Sequence, residues 1–246
     1  MDLNIIRFDT VGSTNAEAVE HAKRGGREGL CIVAREQTDG RGRHGRRWVS
    51  EKDAGLYFSI VLRPDVTARY LPLLTLMSAV AVSEALEQLG LKPDIKWPND
   101  LHIDGKKICG ILAEMAETPT GRAIIVGIGI NLKNSAFPPD MADSATSLES
   151  ETGRAVPGDD VLLSLTRSFS GYYEIFSGTG GSEIIRQNWA ERSSYSEDKP
   201  VRVITGSKVI EGTTRGIEEN GALRVETADG TIEIVHAGDV ERLRPV

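Results

Sequence analysis

Apolar positions along the chain change their period several times, and each change predicts an element. In TNAEAVEHAKRGG, Ala18 and Ala22 recur at helical spacing, Thr14 and Glu17 stand at capping-box spacing, and Gly25-Gly26 closes the segment, so a helix is expected. GLCIVARE follows as a continuous apolar run, the pattern of a strand buried on both faces, whereas LYFSIVLRP alternates more and stops at Pro64. From Pro72 to Gly90, Leu73, Leu76, Met77, Val80 and Leu86 recur near three and four residues apart, which predicts a second helix. DIKWPND, LHIDGKKICGILAEM and RAIIVGIGINL read as strands joined by short turns, with Asp104-Gly105 marking a hairpin. Residues 134–150 lack periodicity and read as a loop. DDVLLSLTRSFSGYYEIF and SEIIRQNWAERS predict two more helices.

Around Glu197 the character shifts to short alternating strands, VRVITG, KVIEGTTRGI, ALRVETADG and TIEIVHAGDVERL, with Asn220-Gly221 and Asp229-Gly230 as tight turns. This predicts a small β-barrel of roughly fifty residues, too short for an ample core of its own and so expected to pack on a larger domain. The expected division is a domain of residues 1–196 followed by one of residues 197–246.

Composition narrows the class. The chain has 246 residues, 39% apolar and 26% charged, which suits a globular fold and not a disordered or fibrous one. Its formal charge of -7 argues against binding nucleic acid over the whole surface, so any anion chemistry must be local. Cys31 and Cys109 sit in apolar stretches without metal-site spacing and read as reduced core residues. The start, MDLNIIRFDT, has no leader pattern and no apolar run approaches the ~20 residues of a membrane span, so a cytoplasmic protein is expected.

Against this acidic background, DGRGRHGRRWVS concentrates positive charge. Gly40, Gly42 and Gly45 free the backbone to approach an anion, Arg41, Arg43 and Arg46 offer guanidinium forks, and Trp48 adds a flat apolar face. Taken alone, the string reads equally as a solvated basic hairpin loop. Lys96, Asn99 and Asp100 leave a strand together around Pro98 and could hold a phosphate, a ribose hydroxyl or a hydrated magnesium ion, or simply form a turn that satisfies its own backbone. Lys107 leads into the apolar KICGIL, where its ammonium needs an anion or must snorkel outward. Asn131 ends GIGIN, a glycine-rich strand that marks either close backbone approach or a bulge.

GRGRHGRRW, KWPNDL, GKKICGILAE and GIGIN, in this order and spacing, closely resemble the biotin protein ligases, and the likeness runs from STN at Ser13 into the C-terminal segment RGIEENGAL. The resemblance implies an α+β fold: a class II aminoacyl-tRNA synthetase-like catalytic domain, a mixed sheet flanked by helices, followed by an SH3-like barrel. It implies an enzyme that joins biotin to ATP as biotinyl-5'-AMP, with Mg²⁺, and transfers the biotinyl group to a lysine of a biotin carboxyl carrier protein domain. Because STN begins at Ser13, no winged helix-turn-helix is expected, and no DNA binding with it. Monomer and homodimer are both compatible.

By the same resemblance, Ser13, Thr14 and Asn15 meet the ureido ring, while Gln37, Gly40, Arg41, Gly42 and Arg43 wall biotin's tail and carboxylate. Gly110 and Ile111 line the biotin pocket. Arg43 and Arg46 touch phosphate, Trp48 covers the adenine side, and Lys96, Asn99, Asp100 and Asn131 form the nucleotide and metal-water shell, with any metal near Asp100 but no direct ligand assigned. Lys107 contacts both carboxylate and phosphate and, with Arg43, is the expected catalytic residue; His44 receives no role. Like charges in residues 40–48 should repel until an anion arrives, so ligand-linked ordering is expected. A lipoyl or octanoyl ligase of the same architecture is the alternative. An RNA-binding module is a remote one, disfavoured by 5% aromatic content and the net charge.

Overall fold

The computed structural model describes residues 1–206 and 208–242. Its main sheet has seven strands. In chain order these are β1 (Asn4–Val11), β2 (Leu30–Gln37), β3 (Gly55–Leu62), β4 (Asp94–Lys96), β5 (Asp100–Ile103), β6 (Lys106–Thr118) and β7 (Gly121–Asn131), arranged spatially as β1-β2-β3-β7-β6-β5-β4. Only β1 and β2 run parallel; every other neighbour is antiparallel, so the sheet is mixed. β1 has no counterpart among the predicted strands. As an edge strand it is half solvated, with Ile5 38% exposed, and its pattern carries little burial signal.

Helix α1 (Thr14–Lys23) covers one face of the sheet, where its Ala18 and Ala22 pack on Ile32, Val61 and Ile125. The expected capping box does not form. Ser13 is the N-cap, with extended backbone and no side-chain cap bond, and the Thr14 hydroxyl turns inward to Gln37. On the other face, α2 (Leu73–Glu87) lies between strands β4–β6 and two helices, α4 (Gly158–Ser177) and α5 (Gly181–Arg192). Enclosed this way it is buried almost all round, which is why its apolar positions are so dense.

Coverage of both faces also corrects the expectation for β3. Its eight residues are all buried rather than alternating with solvent: Leu56, Phe58, Ile60 and Leu62 join the α2 core, while Val61 faces α1. The stretch 134–150 is less irregular than expected, for it holds two single-turn helices and the start of α3 (Leu148–Thr152), capped by the Ser147 hydroxyl accepting from Ser150 N.

The C-terminal strands β8 (Glu197–Thr205), β9 (Lys208–Ile217), β10 (Leu223–Glu226), β11 (Ile232–Val235) and β12 (Asp239–Arg242) form an antiparallel sheet ordered β11-β10-β9-β8-β12. Among the described residues no ladder joins β11 to β12, and the end of the predicted last strand, at Leu243, lies outside them. This sheet shares the main apolar cluster through Val201, Ile217, Leu223 and Val240, and Trp97 Nε1 donates to Gly221 O at 2.9 Å across the junction. No described helix is long and apolar enough to cross a membrane.

Candidate active site

Antiparallel register places the site's floor. Directly opposed residues share a face, and one row across the sheet reads Tyr57, Gly129, Gly110, Asp100, Lys96. The next row toward α1 reads Ser59, Gly127, Leu112. Side chains thus stand at the ends of these rows and glycines lie between, which leaves a trough over β6 and β7. A cavity of about 370 Å³ occupies it, roofed by the arginine segment and flanked by the start of α1 and by residues 136–145.

Glycine is required where neighbouring side chains descend to the floor. A Cβ on Gly129 would stand 2.5 Å from the Trp48 ring, one on Gly110 2.9 Å from it, and one on Gly127 2.2 Å from Asn15 Oδ1. The register of β7 is unbroken through these positions, so GIGIN marks close approach and not a bulge.

At the α1 end, Thr14 N and Oγ1 donate to Gln37 Oε1 at 2.8 and 3.0 Å, and Gln37 Nε2 donates to Ser50 Oγ at 2.8 Å. Asn15 Nδ2 donates to Glu114 Oε2 at 2.7 Å and to Leu112 O at 3.3 Å, while its Oδ1 lies 2.7 Å from the Ser59 hydroxyl. Ser13, Thr14, Asn15 and Gln37 are all buried. A pre-arranged polar network of this kind suits a small, polar, uncharged ring.

The opposite end is cationic. Lys107 Nζ lies 2.7 Å from Asp100 Oδ1, a buried oxygen that it meets by charge and off the direction of a hydrogen bond, and 5.3 Å from the Trp48 ring centre. Asp100 is therefore the anion that Lys107 needed, and the snorkelling alternative is not observed. Three backbone bonds clamp this lysine: its N donates to Ser144 O at 2.8 Å, and its O accepts from Thr146 N at 2.9 Å and from Asn131 Nδ2 at 3.4 Å. Asn131 Nδ2 also reaches Thr146 O at 2.9 Å, so this amide acts first as a brace for Lys107. Asn99 likewise does not satisfy its own turn. It exchanges Nδ2 and backbone bonds with Ile111 at 2.9 Å and accepts from Arg43 at 3.0 Å.

Burial lowers the Lys96 ammonium below its usual range despite the attraction of Asp100, and burial similarly lowers Arg43. His102, two residues along β5 from Asp100, is depressed to about 4 by burial and then by Lys96, so at neutral pH it is an uncharged imidazole; its Nε2 has no hydrogen-bond partner among the described residues. Around the cavity stand Arg41, Arg43, Arg46, Arg47, Lys96 and Lys107 against Asp100 and Asp239, an excess of four positive charges in a chain of net charge -7. The cleft suits a small molecule carrying several negative charges.

Of the residues singled out in the sequence, Ser13, Thr14, Asn15, Gln37, Arg41, Gly42, Arg43, Arg46, Trp48, Lys96, Asn99, Asp100, Lys107, Gly110, Ile111 and Asn131 all border this cavity. Gly40 does not. It is buried behind the roof, accepts from Trp48 N at 2.9 Å, and a Cβ there would strike Trp48 O at 2.3 Å. Sequence reasoning missed Tyr57, His102, Phe137 and Asp239, which also border the cavity, and Ser59 beneath Asn15. It missed Gly127 and Gly129 as individuals, although the GIGIN pattern pointed to their strand. Cys31 and Cys109 are free and buried, with the Cys31 thiol pushed up to about 12 by burial.

The sequence signature of the biotin/lipoate A/B protein ligase family matches residues 9–131. The chain belongs to that family. A second signature, the biotin protein ligase C-terminal domain, matches residues 198–243. This family member is 37% identical over 245 residues to the bifunctional ligase/repressor BirA of Bacillus subtilis, covering 98% of this chain and 74% of that one. To the biotin--[acetyl-CoA-carboxylase] ligase of Paracoccus denitrificans it is 35% identical over 238 residues, covering 93% and 96%. The biotin protein ligase of Aquifex aeolicus, solved in complex with biotin and ATP, superposes with a TM-score of 0.86 at 32% identity, covering 98% and 99% of the two chains.

Proposed function

We infer that this chain is an ATP-dependent biotin ligase that makes biotinyl-5'-AMP and passes the biotinyl group to a lysine of a biotin carboxyl carrier protein domain. The observation that carries the reading is the pairing, in one trough, of a pre-arranged network of buried amides and hydroxyls at the α1 end with a cationic cleft at the Lys107 end. Biotin has this polarity, with a ureido ring at one end and a carboxylate at the other.

In the first step a biotin carboxylate oxygen attacks the α-phosphorus, the bond to the bridging oxygen of the β-phosphate breaks, and pyrophosphate leaves. Two anions must be brought together. Lys107, clamped at its backbone and aimed into the cleft, offsets their repulsion at the reacting oxygens, with Arg43 and Arg46 facing the phosphates. In the second step the carrier lysine, as a free amine, attacks the carbonyl carbon of the mixed anhydride and AMP leaves with the bonding pair. Trp48 and the arginine roof exclude water from that anhydride. Thr14, Asn15 and Gln37 orient the ring, with Gly110 and Ile111 against the tail.

A magnesium ion would arrive with the triphosphate and supply further neutralisation of its charge. Among the described residues no group of three or more His, Cys, Asp or Glu gathers to hold a metal alone. The donors that border the cavity, Asp100 and Asn131, fit an ion carried mainly by phosphate oxygens. We read residues 1–196 as a class II synthetase-like catalytic domain and residues 197–246 as an SH3-like domain.

Biotin-dependent ATP–pyrophosphate exchange tests the activation step, and calorimetric titration with biotin and with lipoate tests the substrate. Exchange that requires biotin is expected. Heat released by lipoate alone would assign the chain to the lipoyl branch instead.

A further inference from the structure

Arg43 and Arg46 are not facing one another unpaired. Both meet Asp239, at the start of β12: Arg43 Nη1 lies 3.5 Å from Oδ1, and Arg46 Nη2 pairs with Oδ2. The neighbouring carbonyl of Gly238 accepts from Nη1 and Nη2 of Arg43 at 3.3 Å. Asp239 comes from the second sheet yet borders the same cavity as Lys107. The like-charge repulsion expected within residues 40–48 is therefore already offset by an anion of the chain itself.

We propose that Asp239 is an internal stand-in for a nucleotide phosphate, and that phosphate and Asp239 compete for the same two arginines. The chemistry is matched. A carboxylate and a phosphate each present two oxygens to guanidinium forks, and a carboxylate beside a triphosphate is repelled by it. The exchange is also asymmetric. Arg43 keeps Asn99 Oδ1, on the main-sheet side, at 3.0 Å when the carboxylate withdraws, so it stays aimed into the cleft. Arg46, with 62% of its side chain exposed, is bound on the cavity side by Asp239 and is free to turn to phosphate once released. Asp239 is held in β12 by its pairing with Ile204 of β8, so its release moves either the arginine segment or the second sheet. Nucleotide occupancy and the docking of the second sheet thereby become linked, and Asp239 acts as a positioning residue that sets the affinity for ATP.

The proposal rests on the reading that Arg46 meets phosphate, and the experiment separates the two. Binding of MgATP and of biotin is measured for the whole chain, for Asp239→Asn, for Asp239→Ala, for Arg46→Gln and for Arg46→Gln with Asp239→Asn. Both Asp239 variants are expected to bind MgATP about three- to tenfold more tightly, with a correspondingly lower KM for ATP and unchanged biotin affinity. Arg46→Gln should weaken MgATP binding and remove most of the gain from Asp239→Asn. If Arg46→Gln leaves MgATP binding unaltered, the phosphate role of Arg46 fails and the proposal fails with it. If Arg46→Gln weakens binding but the Asp239 variants bind MgATP equally or less tightly, the competition alone is overturned.

Discussion

Replacing Gly127 by alanine tests how the sheet positions the polar end of the site. A Cβ there would stand 2.2 Å from Asn15 Oδ1 and 2.9 Å from its Cγ, whereas ordinary contact begins near 3.4 Å, so the Asn15 amide must retreat by about 1.2 Å. Asn15 is 4% exposed and cannot exchange its partners for water. Its bonds to Glu114 Oε2 at 2.7 Å, Leu112 O at 3.3 Å and the Ser59 hydroxyl at 2.7 Å would not all survive that shift. Losing two of them at about 1 kcal/mol each, with one buried group left unsatisfied at about 1–3 kcal/mol, gives a cost of about 3–5 kcal/mol before relaxation. Partial relaxation brings the expected loss to about 2–4 kcal/mol, which in a chain of this size lowers Tm by roughly 4–16 °C. Because Asn15 sits at the first turn of α1, biotin affinity should fall by about tenfold or more while MgATP affinity changes little. Thermal melts and calorimetric titration check both effects. In an Asn15→Ala background the same glycine change should cost much less, since the clashing amide is gone. A Gly127→Ala protein with unchanged Tm and unchanged biotin affinity would refute the argument.

Two further outcomes follow from the cleft. Lys107→Ala removes the ammonium 2.7 Å from Asp100 and should slow biotin-dependent ATP–pyrophosphate exchange by about two to three orders of magnitude; a loss under tenfold would show that Lys107 is not central to the activation step. His102 is depressed to about 4 in the fold, against ~6.5 in an unfolded chain, so it contributes nothing to pH dependence above ~6.5. As pH falls from ~6.5 to ~4 the unfolded chain takes up a proton that the folded one refuses, and stability drops by on the order of 2–3 kcal/mol. His102→Gln should remove that part of the acid sensitivity, read as the difference in urea midpoints between pH 7 and pH 4.5; identical slopes for the two proteins would exclude it.

Much of the site was legible because its chemistry is written in local strings. KWPND and KICGIL carry charged or amide side chains at strand ends, and GRGRHGRRW carries its arginines in the connection between two strands, so each string brings its polar groups out of the sheet together. Gly40 was misplaced because one string cannot tell a glycine that faces a ligand from one that lies beneath another backbone. Thr14 was taken for a cap because the S/T-x-x-E pattern is silent about Gln37, 23 residues away, which claims its hydroxyl. β1 escaped notice because an edge strand buries too little to imprint a period.

By itself, then, the sequence determined the secondary elements with strong periodicity, the concentration of positive charge in an acidic chain, and the residue types available for anion chemistry. These are consequences of burial and backbone freedom over a few neighbouring residues. Only the tertiary structure decided that Tyr57, Gly129, Gly110, Asp100 and Lys96 share one row, that Asn131 braces Lys107, and that Asp239 joins the arginines from the second sheet. Strand register and the docking of the two sheets set those distances. Both arise from cores that the whole chain builds together, which no short segment encodes.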